Sequence, residues 1–151
     1  MRSSLKLVCA VVTTAVTVLG GSALASSPHS GGTQTPQVCG TGTVSTDAPV
    51  TLWPPNHKAH TYNVTYSGGA TGDTLSTTTT SSDGNGVVSD SAPATVGDPA
   101  GDVSTQSTVK AERSGPNRAG RTYTMTYTVT GSNNCSSSFT VTVPHDRRKT
   151  A

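Results

Sequence analysis

In the last third of the chain apolar and polar residues alternate with a period of two, Tyr123, Met125, Tyr127 and Val129 on one parity and Thr122, Thr124, Thr126 and Thr128 on the other. Successive side chains of a strand point to opposite faces, so this pattern predicts a half-buried strand over 121–130. After a polar turn at Gly131-Ser132-Asn133-Asn134, Phe139, Val141 and Val143 alternate again before Pro144. The two runs predict an antiparallel pair. Residues 60–66 alternate in the same way, with Tyr62, Val64 and Tyr66 on one face, and Thr-rich segments at 75–81 and 103–113 are further strand candidates. Val50-Thr51-Leu52-Trp53 reads as a short strand that Pro54-Pro55-Asn56 ends, because proline has no N–H for a ladder. No window shows helical spacing. Six or seven short strands without a helix point to an all-β, antiparallel two-sheet sandwich.

Composition supports strands and sharpens the compartment. The chain has 28 Thr, 20 Ser and 16 Gly among 151 residues, a β-branched and turn-forming bias with little Leu, Glu or Lys. Arg2 and Lys6 precede an apolar run, Leu7–Leu19, that ends in Ala23-Leu24-Ala25, the form of a secretory signal with a small-residue cleavage site. Its 13 residues fall short of the roughly 20 a membrane-spanning helix needs. Cleavage after residue 25 turns a formal charge of +2 into zero, with 8 bases and 8 acids left. Bulk-charge binding to nucleic acid or acidic lipid thereby loses its support. The expected organisation is a signal peptide at 1–25, a flexible polar leader at 26–37, one domain at 38–146 and a basic tail at 147–151, released to the extracellular medium without a membrane anchor. Beyond the signal there are 12 Val, 2 Leu and 1 Phe, which makes a thin core.

With Cys9 removed in the signal, Cys39 and Cys135 form an even pair in an oxidising compartment and predict one disulfide. Closing a loop of 95 residues is worth about 4–5 kcal/mol in the chain-entropy account, a large share of a small domain's net stability.

The neutral total hides a segregated pattern. Between Ala59 and Val109 there are five aspartates and no Lys or Arg, whereas 110–122 and 145–149 are net basic. Residues 82–102 hold four of those aspartates without periodicity, and such a long irregular stretch is expected to be functional or mobile. Asp83, Asn85 and Asp90 are its candidate ligands for Ca²⁺, which takes carboxylates and carbonyls in flexible geometry. The same Asp-Gly and Asn-Gly pairs are turn formers, and Asp83-Gly84-Asn85-Gly86-Val87-Val88 fails the EF-hand pattern after its third position. His57-Lys58-Ala59-His60 has H-x-x-H spacing, but the flanking prolines argue against the helix that would place both rings together. There is no G-x-S-x-G elbow and no distinguished carboxylate pair, so no catalytic residues are assigned and no cofactor is called for.

Leu52-Trp53-Pro54-Pro55-Asn56-His57-Lys58, Ala111-Glu112-Arg113-Ser114-Gly115, Gly120–Tyr127 and Val141-Thr142-Val143-Pro144-His145-Asp146 occur in this order. Together they resemble a bacterial secreted module related to hyalin-repeat and other immunoglobulin-like domains. The resemblance spans residues 52–146, and it implies an immunoglobulin-like β-sandwich of about seven strands with a non-catalytic role. Cys135 ahead of Phe139-Thr140-Val141 also resembles the hyalin-repeat arrangement and supports the bridge. The chain departs from the resemblance after Val129: relatives tend to carry an Asp-x-x-Gly-Asn turn where it has Thr130-Gly131-Ser132-Asn133-Asn134, so a cation ligand from that aspartate is missing.

The functional expectation is a secreted module for binding or adhesion to an extracellular protein or glycan, with Trp53, Asn56, His57 and Lys58 as the contact turn. Trp53 as a core plug is the competing reading of that residue. The alternative function is a small secreted inhibitor or effector acting through the acidic segment 82–102.

Overall fold

The alternating segments form strands with one face in the core: in 121–130 the odd-numbered positions are buried and the threonines between them face outward. The structure is a computed structural model that describes residues 30–113, 115 and 118–145; the expected signal peptide at 1–25, residues 26–29 of the expected leader and the chain from Asp146, with the expected basic tail, lie outside these. The described residues contain eleven strands and no helix. They are β1 (Ser30–Thr33), β2 (Gln37–Cys39), β3 (Gly42–Thr46), β4 (Pro49–Leu52), β5 (Ala59–Ser67), β6 (Thr74–Ser81), β7 (Val87–Asp90), β8 (Ala94–Thr95), β9 (Val103–Lys110), β10 (Arg121–Thr130) and β11 (Cys135–Val143).

Two sheets result, one ordered β1-β4-β11-β10-β6-β8 and the other β2-β3-β5-β9-β7. Pairing is antiparallel throughout except where β4 meets β11 in parallel at Thr51 and Thr142. β10 pairs with β11 from Arg121↔Val143 to Val129↔Cys135, as the alternation predicts.

Three expectations are corrected. The strand count is eleven, not about seven, because β1, β2, β7 and β8 are two to four residues long and carry little apolar periodicity; backbone hydrogen bonds to a longer neighbour recruit them. One of these lies in the polar leader, where β1 pairs with β4 from Ser30↔Leu52 to Thr33↔Pro49. The segment 82–102 is not a single irregular loop, since β7 pairs with β9 and β8 with β6. The third correction is local. The strand expected at 103–113 stops at Lys110, where the Glu112 N–H turns back to the Lys110 carbonyl at 2.7 Å.

The apolar core is two clusters, each fed by both sheets. One gathers Val44, Val64, Tyr66, Leu75, Tyr127, Val129 and Phe139, and the other Leu52, Tyr62, Val109, Tyr123, Met125 and Val141. Hydroxyl pairs occupy buried positions of β6 and β9, Thr77 to Thr105 at 2.6 Å and Thr79 to Ser107, so the two sheets are also joined by hydrogen bonds. Buried hydroxyls cost little when paired, which lets a Thr-rich strand line a core with few large aliphatics. The Cys39–Cys135 disulfide is present, with Cα atoms 5.6 Å apart, and ties β2 to the start of β11 across the sheets.

Candidate functional site

Arg121 opens β10 and is 5% exposed, although it has the longest cationic side chain in its strand. Its guanidinium donates to Asp83 Oδ2 through Nε at 3.0 Å and Nη2 at 2.9 Å, and through Nη1 to Glu112 Oε2 at 3.2 Å and to the Tyr123 hydroxyl at 3.3 Å. Two carboxylates therefore neutralise one buried cation, which is what keeps its desolvation tolerable. Burial alone would lower the Arg121 pKa, but the hydrogen bonds to Tyr123, Asp83 and Glu112 more than offset it and raise it. Glu112 shows the mirror effect. Burial pushes its carboxyl up, and Arg121 and Lys110 together hold it below the usual carboxylate value.

Glu112 connects this cluster to the predicted contact turn. Lys110 Nζ lies 3.6 Å and His57 Nδ1 3.8 Å from Glu112 Oε1. The backbone makes the stronger link: the His57 N–H donates to the Ala111 carbonyl at 3.0 Å, and the Ala111 N–H donates to the Lys58 carbonyl at 2.8 Å. Within the turn, Asn56 Oδ1 accepts the Lys58 N–H at 3.0 Å, a local bond that asparagine makes readily. His57 has a φ of 61°, a left-handed conformation that a non-glycine residue rarely adopts. These bonds hold a turn whose Asn56, His57 and Lys58 side chains are exposed, with Trp53 half-buried at its base and outside both core clusters.

Tyr123 completes the corner. Its hydroxyl donates to the Lys110 carbonyl at 2.6 Å, and burial raises its pKa. Gly86 passes so close above that a Cβ there would collide with the Tyr123 hydroxyl and with Arg121 Nη1, and its φ of 84° favours glycine independently. The Gly86 carbonyl accepts the Lys110 N–H at 2.9 Å. Segments 53–58, 83–86, 110–112 and 121–123, far apart in sequence, thus meet at the end of the fold where β10 begins.

The candidate metal ligands are engaged individually. Asp83 faces Arg121, and its Oδ1 accepts the Asn85 N–H at 3.1 Å while Asn85 Nδ2 donates back to the Asp83 carbonyl at 3.0 Å, a closed Asx turn. Asp90 accepts from both the Thr79 N–H and the Thr79 hydroxyl at 2.8 Å, closing part of the β6 edge that β8 leaves uncovered. Among the described residues no group of three or more His, Cys, Asp or Glu side chains is placed to hold a metal ion. His60, the second residue of the H-x-x-H string, stacks on Tyr62 with centroids 6.3 Å apart, whereas the ring of His57 is exposed beside Glu112.

At the opposite end of β10 stands Asp73, which the sequence reading counted only as one acid among five. It is fully buried. Its Oδ1 accepts the N–H groups of Ser132 at 2.7 Å and Asn133 at 3.1 Å, and its Oδ2 accepts from Asn133 Nδ2 at 2.8 Å, the Tyr66 hydroxyl at 3.0 Å and the Ala70 N–H at 3.0 Å. The Asn133 amide leads the causes that pull its pKa down to about 2, against a burial effect in the other direction. Asn133 also receives the Thr41 N–H at 3.2 Å, so this network and the disulfide lock the same end of the domain.

Comparison with protein-family models, with curated proteins and with solved structures finds no match to this chain.

Proposed function

We propose that the chain is an immunoglobulin-like β-sandwich of the hyalin-repeat-related kind, secreted, and acting as a non-catalytic binding or adhesion module for an extracellular protein or glycan. Strand order supports the fold. Setting aside β1, β2, β4 and β8 leaves seven strands, and their neighbours β3-β5-β9-β7 and β6-β10-β11 follow the A-B-E-D and C-F-G order of such domains. Tyr123, near the start of the sixth of these strands and bonded to the backbone of the fifth, stands where a tyrosine corner would. The carrying observation for function is the turn 53–58. Its backbone is pinned to Ala111 at two points while Asn56, His57 and Lys58 project into solvent, so recognition groups are presented on a rigid support and little ordering entropy is lost on binding.

A triple variant, Asn56→Ala/His57→Ala/Lys58→Ala, compared with the wild type on a glycan array and on intact cells, tests this reading. The expected result is loss of capture with the melting temperature nearly unchanged. Unchanged capture would refute the turn as the contact surface. Loss of capture in Asp98→Asn/Asp102→Asn instead would favour an inhibitor or effector acting through the acidic segment. Turnover of peptide, ester or glycoside substrates that disappears in His57→Ala or His60→Ala would overturn the non-catalytic role.

A further inference from the structure

The outward face of the six-stranded sheet is chemically uniform over its three longest strands. Every outward position of β6 (74, 76, 78, 80), β10 (122, 124, 126, 128, 130) and β11 (136, 138, 140, 142) is Thr or Ser, ten threonines and three serines, without one charged or aromatic side chain. The strands are in continuous register, with no bulge between β10 and β11 or between β10 and β6. Thr124 is flanked by Thr80 and Thr140, and Thr126 by Thr78 and Ser138. The array therefore repeats at about 4.8 Å across the strands and about 6.8 Å along them.

Strand propensity alone would produce threonines, so the second sheet is the control. Along β5 and β9, at the centre of its outer face, the polar side chains pair with one another or with a neighbouring acid: Thr61 with Thr108 at 2.8 Å, Thr65 with Ser104 at 2.8 Å, and Asn63 with Asp47 at 2.8 Å. The central array on the six-stranded sheet behaves differently. Among the described residues the hydroxyls of Thr78, Thr80, Thr124, Thr126, Ser138 and Thr140 have no protein partner. They are donors and acceptors at regular intervals, each threonine with a methyl group beside its hydroxyl, on side chains stiff at χ1.

We propose that this face is an ice-binding surface, its occupant the ordered water lattice of an ice crystal. A ligand for this face has to be neutral, because thirteen positions offer no charge; periodic, because the donors and methyls are; and rich in hydrogen-bonding groups, because the six central hydroxyls are unpaired while Thr74, Ser76, Thr128 and Ser136 at its end are bonded within the protein. Water ordered between rows of methyl groups and anchored by hydroxyls meets all three conditions. A crystalline polysaccharide meets them too, but sugar faces are normally held by stacking on aromatic rings, and this face has none. The χ1 stiffness of threonine pre-orders the array and reduces the entropy lost on engaging a rigid lattice. The inference uses none of the residues of the turn 53–58, so it neither rests on the binding-module reading nor fails with it.

The test is entry of the fluorescently labelled mature chain into a slowly growing ice hemisphere, with thermal hysteresis measured in parallel. Thr126→Tyr and Thr78→Tyr place a bulky ring within the array while keeping strand propensity, and Thr61→Tyr does the same on the other sheet. The wild type and Thr61→Tyr are expected to enter the ice and shape it. Both array variants should be excluded and lose hysteresis while keeping the wild-type melting temperature. Exclusion of the wild type overturns the proposal, as does entry of Thr126→Tyr and Thr78→Tyr at the wild-type level. Sedimentation with microcrystalline cellulose or chitin that the array variants abolish, without entry into ice, would overturn ice as the occupant.

Discussion

Replacing Arg121 with Met tests whether the cation organises the corner on which the contact turn rests. Methionine matches much of the length and packing of the stem, so the change isolates the guanidinium. Its loss leaves the Asp83 and Glu112 carboxylates, each with 22% of its side chain exposed, without the group that bonded them at 2.9 and 3.2 Å. Breaking a fully buried pair costs about 3–5 kcal/mol, and partial rehydration of the two carboxylates brings the expected loss to about 2–3 kcal/mol. That corresponds to a melting temperature lower by roughly 10 °C in a domain of this size. The pH dependence has a definite sign. In the wild type the Glu112 pKa is depressed, so its contribution is present above the ordinary carboxylate value and is lost as pH falls through the folded value. In Arg121→Met only Lys110 is left to oppose burial at Glu112, so its pKa moves up from the wild-type value and the gap to wild type narrows as pH falls through the carboxylate range. The triple variant Asp83→Asn/Glu112→Gln/Arg121→Met removes both carboxylate charges with the cation and should recover part of the loss. Urea unfolding at several pH values measures all of this. A single variant as stable as the wild type, or a gap that does not change with pH, would refute the reasoning.

Reduction of the disulfide, or Cys135→Ser, should cost about 4–5 kcal/mol for a bridge spanning 96 residues, read as a large drop in melting temperature; equal melting with and without reductant would refute that account. Asp73→Asn keeps the shape but weakens the acceptor for Ser132, Asn133 and Tyr66, so it should melt lower at neutral pH. Because the Asp73 pKa is depressed to about 2, the wild type should shed stability between the ordinary carboxylate pKa and about pH 2, and stability curves over that range should be flatter in the variant. Gly86→Ala meets both a left-handed φ and the Tyr123 hydroxyl and is expected to cost more than about 2 kcal/mol, whereas Gly84→Ala, with open space around it, should cost only about 1 kcal/mol; thermal melts of the two variants distinguish packing from backbone strain.

Alternation made the long strands legible. The runs at 60–66, 75–81 and 121–130 correspond closely to β5, β6 and β10, because a sheet with one buried face imposes its period on the side chains. The short strands were not legible. β1, with the sequence Ser-Gly-Gly-Thr, has no apolar side chain to announce it and exists through backbone bonds to β4. The turn 53–58 could be marked as a candidate from its prolines and polar residues, but nothing local tells that Ala111 holds it. Asp83 illustrates the limit most clearly. From sequence it is a turn former or an oxygen ligand, and only the fold brings Arg121, 38 residues away, against it.

Taken alone, the amino-acid order determined the β class, the long strands and their buried parity, the candidate bridge and the zero formal charge of residues 26–151, since each follows from local periodicity, residue chemistry or counting. Tertiary structure decided which acids stay available and which are consumed. It gave Asp73 five hydrogen bonds, Asp83 a buried arginine and Asp90 a strand edge, and at the sheet centres it left the hydroxyls of β6, β10 and β11 unpaired while pairing those of β5 and β9. The physical reason is the same in each case. A polar side chain is satisfied by whatever the fold brings within about 3 Å, and that distance is set by sheet order and register between residues far apart in the chain.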